Sequence, residues 1–143
     1  TGQGQTVWRN PPEVADDAAR TAVMRDCARA ELSQGQPGAL VHTVREAEAA
    51  REAGRLYAFL GVEGMAAIGA DAGGIDRYYA SGIRLGMLTW NEENPLATGA
   101  GGSAQNKLTA AGRAAVSRMQ DLGMLVDVSH LNDGGFWDVI GLA

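Results

Sequence analysis

A single cysteine, Cys27, means the chain cannot form an internal disulfide and cannot build a CxxC metal knuckle. Cys27 reads as a small apolar residue on a helix face rather than a reactive thiol. Basic residues are also few, 12 Lys and Arg against 17 Asp and Glu for a formal net charge of −5. No basic cluster with interleaved aromatics occurs, which sets nucleic-acid binding aside. No apolar stretch approaches the ~20 residues a membrane span needs. The N-terminus, "TGQGQTVWRN", lacks the basic start and apolar core of a signal peptide. Histidine is scarce too, with only His42 and His130. The acidic balance identifies no substrate.

What is present is globular: 143 residues, 45% hydrophobic, enough for one domain with its own core. "NPPEVADDAARTAVMRDCARAEL" reads as a first helix, capped by Asn10 with Pro11 at its first position. Val14, Ala18 and Ala22 form its apolar stripe, with Val23, Cys27 and Ala30 beside it. "SQGQPG" is a turn-rich break. A second helix follows, with a capping box from Thr43 to Glu46 and a stop at Gly54. The apolar run Leu56–Val62 then ends on Glu63-Gly64. "GIDRYYASG" is a short helix stopping at Gly82, and "IRLGMLT" is a second apolar run leading to Trp90-Asn91. After the glycine-rich segment 91–107 comes a helix capped by Thr109 and stopped by Gly123, with Ala111, Ala115, Met119 and Leu122 on one face. It feeds "GMLVDVSHLND", a third apolar run that closes on His130. Asn132 or Asp133 caps a last helix, packed by Trp137.

Helix, closing glycine, apolar strand and polar strand end recur three times. Continuous apolar strands are buried on both faces, as parallel strands covered by helices are. The chain is therefore α/β, either an open doubly wound sheet or a (β/α)8 barrel. In both, chemistry collects at the C-terminal strand ends, where Glu63, Trp90, Asn91 and His130 lie.

Two readings stand for the ionisable pair. His130 is either a strand-end histidine bonded to neighbouring backbone, or a metal ligand or general base. Strand alternation puts it on one side with Val126 and Val128, away from Asp127. Glu63 ends too apolar a run for a free carboxylate, so it is surface-exposed, paired with a cation, or metal-bound. His42 reads as solvated in a polar turn. "TGAGG" (98–102) matches neither phosphate-loop pattern and reads as a flexible loop.

"FLGVEG", "GIRLGMLTWNEENPLATG", "LTAAGRAAVSRMQDLGMLVDVSH" and "FWDVI", in that order, resemble the renal (membrane) dipeptidases and their bacterial relatives, most strongly over 59–143. The resemblance implies a partial (β/α)8 TIM-type barrel with outer helices, a single domain over 1–143, incomplete at both ends. It implies hydrolysis of dipeptides at a binuclear zinc site. By motif, Glu63 is the carboxylate bridging the metals and His130 a ligand of the second zinc. Trp90 and Asn91 contact substrate, with the 91–106 loop lining its mouth. Two cations on one carboxylate lower the pKa of a shared water and polarise the scissile carbonyl.

The chain departs from the family pattern in lacking the early His-x-Asp that supplies ligands to the first zinc. The later zinc-binding His, the substrate-binding Arg and the catalytic Asp are also missing. Trp90 stands where the mammalian enzymes have a substrate-contacting His, whereas bacterial relatives commonly read "LTWN". The expectation is a zinc dipeptidase segment completed by self-association or by another chain. The alternative is a truncated, non-catalytic partial barrel that associates through exposed strand edges.

Overall fold

The computed structural model describes residues 2–8, 17–33 and 38–143. Strands and helices alternate: β1 (Gly2–Trp8), α1 (Asp17–Ser33), β2 (Gly38–Leu40), α2 (Val44–Glu52), β3 (Leu56–Glu63), α3 (Gly73–Ala80), β4 (Ile83–Met87), α4 (Ala110–Asp121), β5 (Leu125–Asp127) and α5 (Asp133–Leu142). Every strand pairing is parallel. The sheet runs β1-β3-β4-β5, and β2 pairs with the first residues of β3. This is the α/β arrangement expected, part of a (β/α)8 barrel.

The apolar runs become strands because one face of each packs under helices. Leu60 and Val62 of β3 and Ile83 of β4 join Ile75 of α3 and Ala115, Val116 and Met119 of α4 in one buried cluster. On β3, alternation leaves Phe59, Gly61 and Glu63 on the other face. The helix signals also operate as read. Thr43 forms a capping box with Glu46, Thr109 Oγ1 accepts from Gly112 N, and Asn132 Oδ1 accepts from Gly135 N. The predicted stops at Gly54, Gly82 and Gly123 all carry positive φ.

Two ion-pair sets tie the helices together. Arg118 of α4 grips Asp76 of α3 through two nitrogens. Asp138 of α5, only 8% exposed, accepts from Lys107, the Leu108 N–H and Arg113.

Several expectations are corrected. β1 was not foreseen, because Gly-Gln-Gly-Gln-Thr carries neither an apolar run nor an apolar alternation. β2 follows what reads as a turn and is only three residues long. His42 therefore lies two residues beyond a strand; its Nδ1 is buried without a hydrogen-bond partner among the described residues, and its ring packs on Gly82. On α1, Val23 and Cys27 face outward, and Ala28 packs toward the core instead. Trp137 is 65% exposed and meets Phe136 edge-on, so Phe136 rather than Trp137 packs α5 inward. The cap at Asn10 lies outside the described residues. Among the described residues, no helix is long and apolar enough to cross a membrane.

Candidate functional site

Glu63 is the last residue of β3, in register with Met87 of β4, which is in register with Asp127 of β5. Immediately after it the chain turns at Gly64 (φ 80°), whose N–H donates to the Met87 carbonyl, and Met65 enters the core. The carboxylate is thereby held at the strand mouth, with its side chain 20% exposed.

His130 arrives there by a route that alternation did not anticipate. β5 ends at Asp127, whose Oδ1 accepts from the Ser129 N–H and curls the chain into a turn. His130 then takes a left-handed φ of 65°, the only described non-glycine residue with positive φ. That conformation costs about 1 kcal/mol or more for a residue bearing a Cβ. It is held by the His130 carbonyl, which accepts from Ala100 N at 2.8 Å and Thr89 Oγ1 at 3.3 Å. The ring consequently faces Glu63, with Nε2 3.4 Å from Oε1.

The other two predicted residues converge on the same imidazole. Asn91 Oδ1 lies 3.0 Å from His130 Nδ1. The Trp90 ring centroid lies 6.1 Å from that of His130, tilted by 47°. Glu63, Trp90, Asn91 and His130 thus form one cluster at the C-terminal ends of β3, β4 and β5.

The 98–102 segment is a fixed element, not a flexible loop. Thr98 and Gly99 are buried, and Gly99 bridges to Leu131. Gly101 N donates to the Asn91 carbonyl at 3.0 Å. A Cβ on Gly99 would sit 2.3 Å from the Trp90 carbonyl oxygen, and one on Gly101 2.8 Å from that of Asn91. The glycines serve close backbone approach, which is the physical meaning of this composition. Asn94 fixes the start of the loop, donating to the Leu88 carbonyl and accepting from Leu96 N and Ala97 N. Sequence reading missed Thr89 and Ala100 as supports of His130. The Gly-Ala-Gly spacing was the available signal for the second.

Two adjacent protein donors to one tetrahedral zinc, at bond lengths of about 2.0–2.1 Å, stand about 3.3–3.4 Å apart. The Nε2 to Oε1 separation of 3.4 Å fits that edge. Among the described residues, however, no group of three or more His, Cys, Asp or Glu is placed to hold a metal ion. β1, the neighbour of β3, brings Trp8 into register with Glu63, and residues 8–10 read Trp-Arg-Asn rather than His-x-Asp. A cavity of about 440 Å³ among His42, Tyr57, Phe59, Arg84 and Leu125 is lined by none of the four clustered residues.

Comparison with known proteins agrees with this architecture. The family model of the membrane dipeptidases (peptidase family M19) matches residues 7–143. An uncharacterized dipeptidase of Schizosaccharomyces pombe is 35% identical over 94 residues, covering 63% of this chain and 23% of that protein. A dipeptidase of Aspergillus oryzae is 35% identical over 79 residues, 54% of this chain and 19% of its own length. A metallo peptidase from Rhodobacter sphaeroides, solved with a phosphinate mimic of the dipeptide L-Ala-D-Ala, superposes with a TM-score of 0.87 at 22% identity. The match covers 99% of this chain and 50% of that one. The dipeptidase AC, a metallo peptidase of family M19, gives a TM-score of 0.85 at 24% identity over 99% of this chain and 47% of its own. The chain spans about half the length of those two structures and about a quarter or less of these two curated relatives. Since the family model covers nearly all of it, the chain belongs to the membrane dipeptidase family, peptidase family M19.

Proposed function

We propose that the chain supplies one wall of a zinc-dependent dipeptidase site, with Glu63 and His130 as metal ligands and Trp90 and Asn91 facing the dipeptide. The observation that carries this reading is the 3.4 Å approach of His130 Nε2 to Glu63 Oε1 at the strand ends. A carboxylate and an imidazole are the hard and borderline donors zinc accepts, and no thiolate is needed. Bound metal would polarise the scissile carbonyl and make a water acidic enough to serve as nucleophile near neutral pH. The residues of this chain do the holding. Glu63 offers two oxygens, enough to bridge two ions, and His130 offers one nitrogen. The Trp90 ring stands beside His130, with 6.1 Å between the ring centroids. Asn91 and the clamped 98–102 segment line the entrance.

The substrate class proposed is a dipeptide, as in the Rhodobacter sphaeroides relative bound to a mimic of L-Ala-D-Ala. Two donors fall short of the three that a catalytic zinc normally takes from protein. The remaining ligands come from another part of the complete barrel or from a complementing chain.

A second reading, a non-catalytic partial barrel that self-associates or pairs with another chain, draws support from Leu125 on β5, which is 60% exposed, and Leu56 on β3, 50% exposed. Zinc content, L-Ala-D-Ala hydrolysis and oligomeric mass measured on one sample separate the two. Zinc bound in proportion to turnover supports the dipeptidase site. Association without zinc or turnover, even in zinc excess and with the complementing part of the barrel supplied, supports the second reading and removes the first.

A further inference from the structure

We infer that Asn91 is a positioning residue that decides which nitrogen of His130 carries the proton, and that residues 99–101 exist to hold this pair in place. The inference rests on the proposed ligand role of His130.

A neutral imidazole has its proton on one nitrogen only, and a metal binds the other. Asn91 Oδ1 lies 3.0 Å from Nδ1. A carboxamide oxygen only accepts, so in this amide orientation Nδ1 donates, in competition with the Glu63 carboxylate that would accept from an Nε2–H. Nε2 is then left with its lone pair, on the side of the ring that faces Glu63 at 3.4 Å. Partners of this kind, bonded to the nitrogen away from the metal, orient ligating histidines and fix their tautomer.

The backbone is arranged for the same end. Ala100 N donates to the His130 carbonyl, and Gly101 N, the next amide along, donates to the Asn91 carbonyl. Two consecutive amides therefore fix the separation of the two residues. This needs Gly99 and Gly101, because a side chain at either would strike the Trp90 and Asn91 backbone. The left-handed φ of His130 is kept by the same contact and by Thr89 Oγ1. The competing arrangement turns the amide over. Asn91 Nδ2 would then donate to Nδ1, and an Nε2–H would point at Glu63, leaving no free lone pair for a metal.

Nitrogen-15 to proton two-bond correlation spectra of the metal-free chain distinguish the two arrangements. Spectra are taken near pH 9, well above the ordinary imidazole pKa of about 6.5. With only two histidines in the chain, the His130→Gly spectrum assigns the signals. Expected is Nδ1–H at His130 in the wild type, retained in Asn91→Asp, which keeps an acceptor oxygen. In Asn91→Leu the proton moves to Nε2, and zinc affinity falls about 10- to 100-fold. Nε2–H in the wild type overturns the inference without any variant, and so does a tautomer unmoved in Asn91→Leu. The tautomer is read without metal, so the two proposals fail separately. Nδ1–H governed by Asn91, with no zinc bound even when the complementing part of the barrel is supplied, supports the pairing and removes the zinc reading. Zinc bound through His130 with a tautomer indifferent to Asn91 does the reverse.

Discussion

His130 Nε2 and Glu63 Oε1 stand 3.4 Å apart at the mouths of two strands that do not pair with each other. β4 lies between β3 and β5. The contact therefore exists because the chain beyond β5 curls back across the strand ends, bracketed by Asp127 on one side and the 98–102 segment on the other.

The turn at His130 makes a prediction about stability that is independent of metal. At a φ of 65° a glycine is relaxed and an alanine is not. His130→Gly is expected to be more stable than His130→Ala by about 1 kcal/mol, read from urea unfolding midpoints at unchanged slope. Equal midpoints would mean the left-handed conformation is not retained.

Gly99 is predicted to tolerate no side chain. In Gly99→Val the new carbons meet the carbonyls of Trp90 and Asn91, so the segment must shift at a cost of about 1–3 kcal/mol. The Trp90 environment should change as well, visible in near-ultraviolet circular dichroism. An unchanged midpoint and spectrum would show that the segment is loosely held.

Acid should destabilise the fold through Asp138 and Asp76. Burial pushes the Asp138 carboxyl up, but donation from Lys107, the Leu108 N–H and Arg113 outweighs it, and the net effect holds the pKa below its ordinary value. The Arg118 hydrogen bonds hold Asp76 low too, at a far more exposed position. A depressed folded-state pKa means the unfolded chain takes up protons first as pH falls. The stabilisation is therefore complete above the unfolded value of about 3.9 and is lost as pH drops through the lower folded values. Thermal midpoints should be flat from about pH 7 to 5 and fall below about pH 4. Asp138→Asn should lower the midpoint at neutral pH and flatten the acid limb; an acid limb as steep as in the wild type would place its origin elsewhere.

Leu60, fully buried in the cluster between β3 and the helices, anchors the strand that carries Glu63. Leu60→Ala should cost about 2–5 kcal/mol, measured by denaturant unfolding, and a loss below about 1 kcal/mol would contradict its place in the core.

The parts of this fold legible in the sequence are those where one physical signal dominates. β3, β4 and β5 stand out because a strand packed under helices carries mostly apolar residues, as in Leu56–Val62, even where Arg84 and Asp127 interrupt the pattern in β4 and β5. α2 and α4 stand out because Thr43-to-Glu46 and Thr109 are capping chemistry that works locally. β1 carries no such signal: its pairing with β3 is a backbone matter, and its Gln and Thr residues do not announce it. The rows of α1 were misjudged because alanine satisfies any face of a helix. At the site, the strand-end positions of Glu63, Trp90, Asn91 and His130 were readable, and their convergence was not. It depends on a left-handed residue and on two amides of a glycine-rich segment that composition alone portrays as loose.

The most direct test of the account is a zinc titration of the wild type, Glu63→Gln, His130→Gly and the double variant. If both side chains hold the same ion, each single change weakens zinc binding at least about tenfold once the remaining ligands of the barrel are supplied. The double variant then adds little, because removing one ligand already removes most of what the other contributes. A zinc isotherm indifferent to both substitutions, or losses that simply add, would contradict a shared metal at Glu63 and His130.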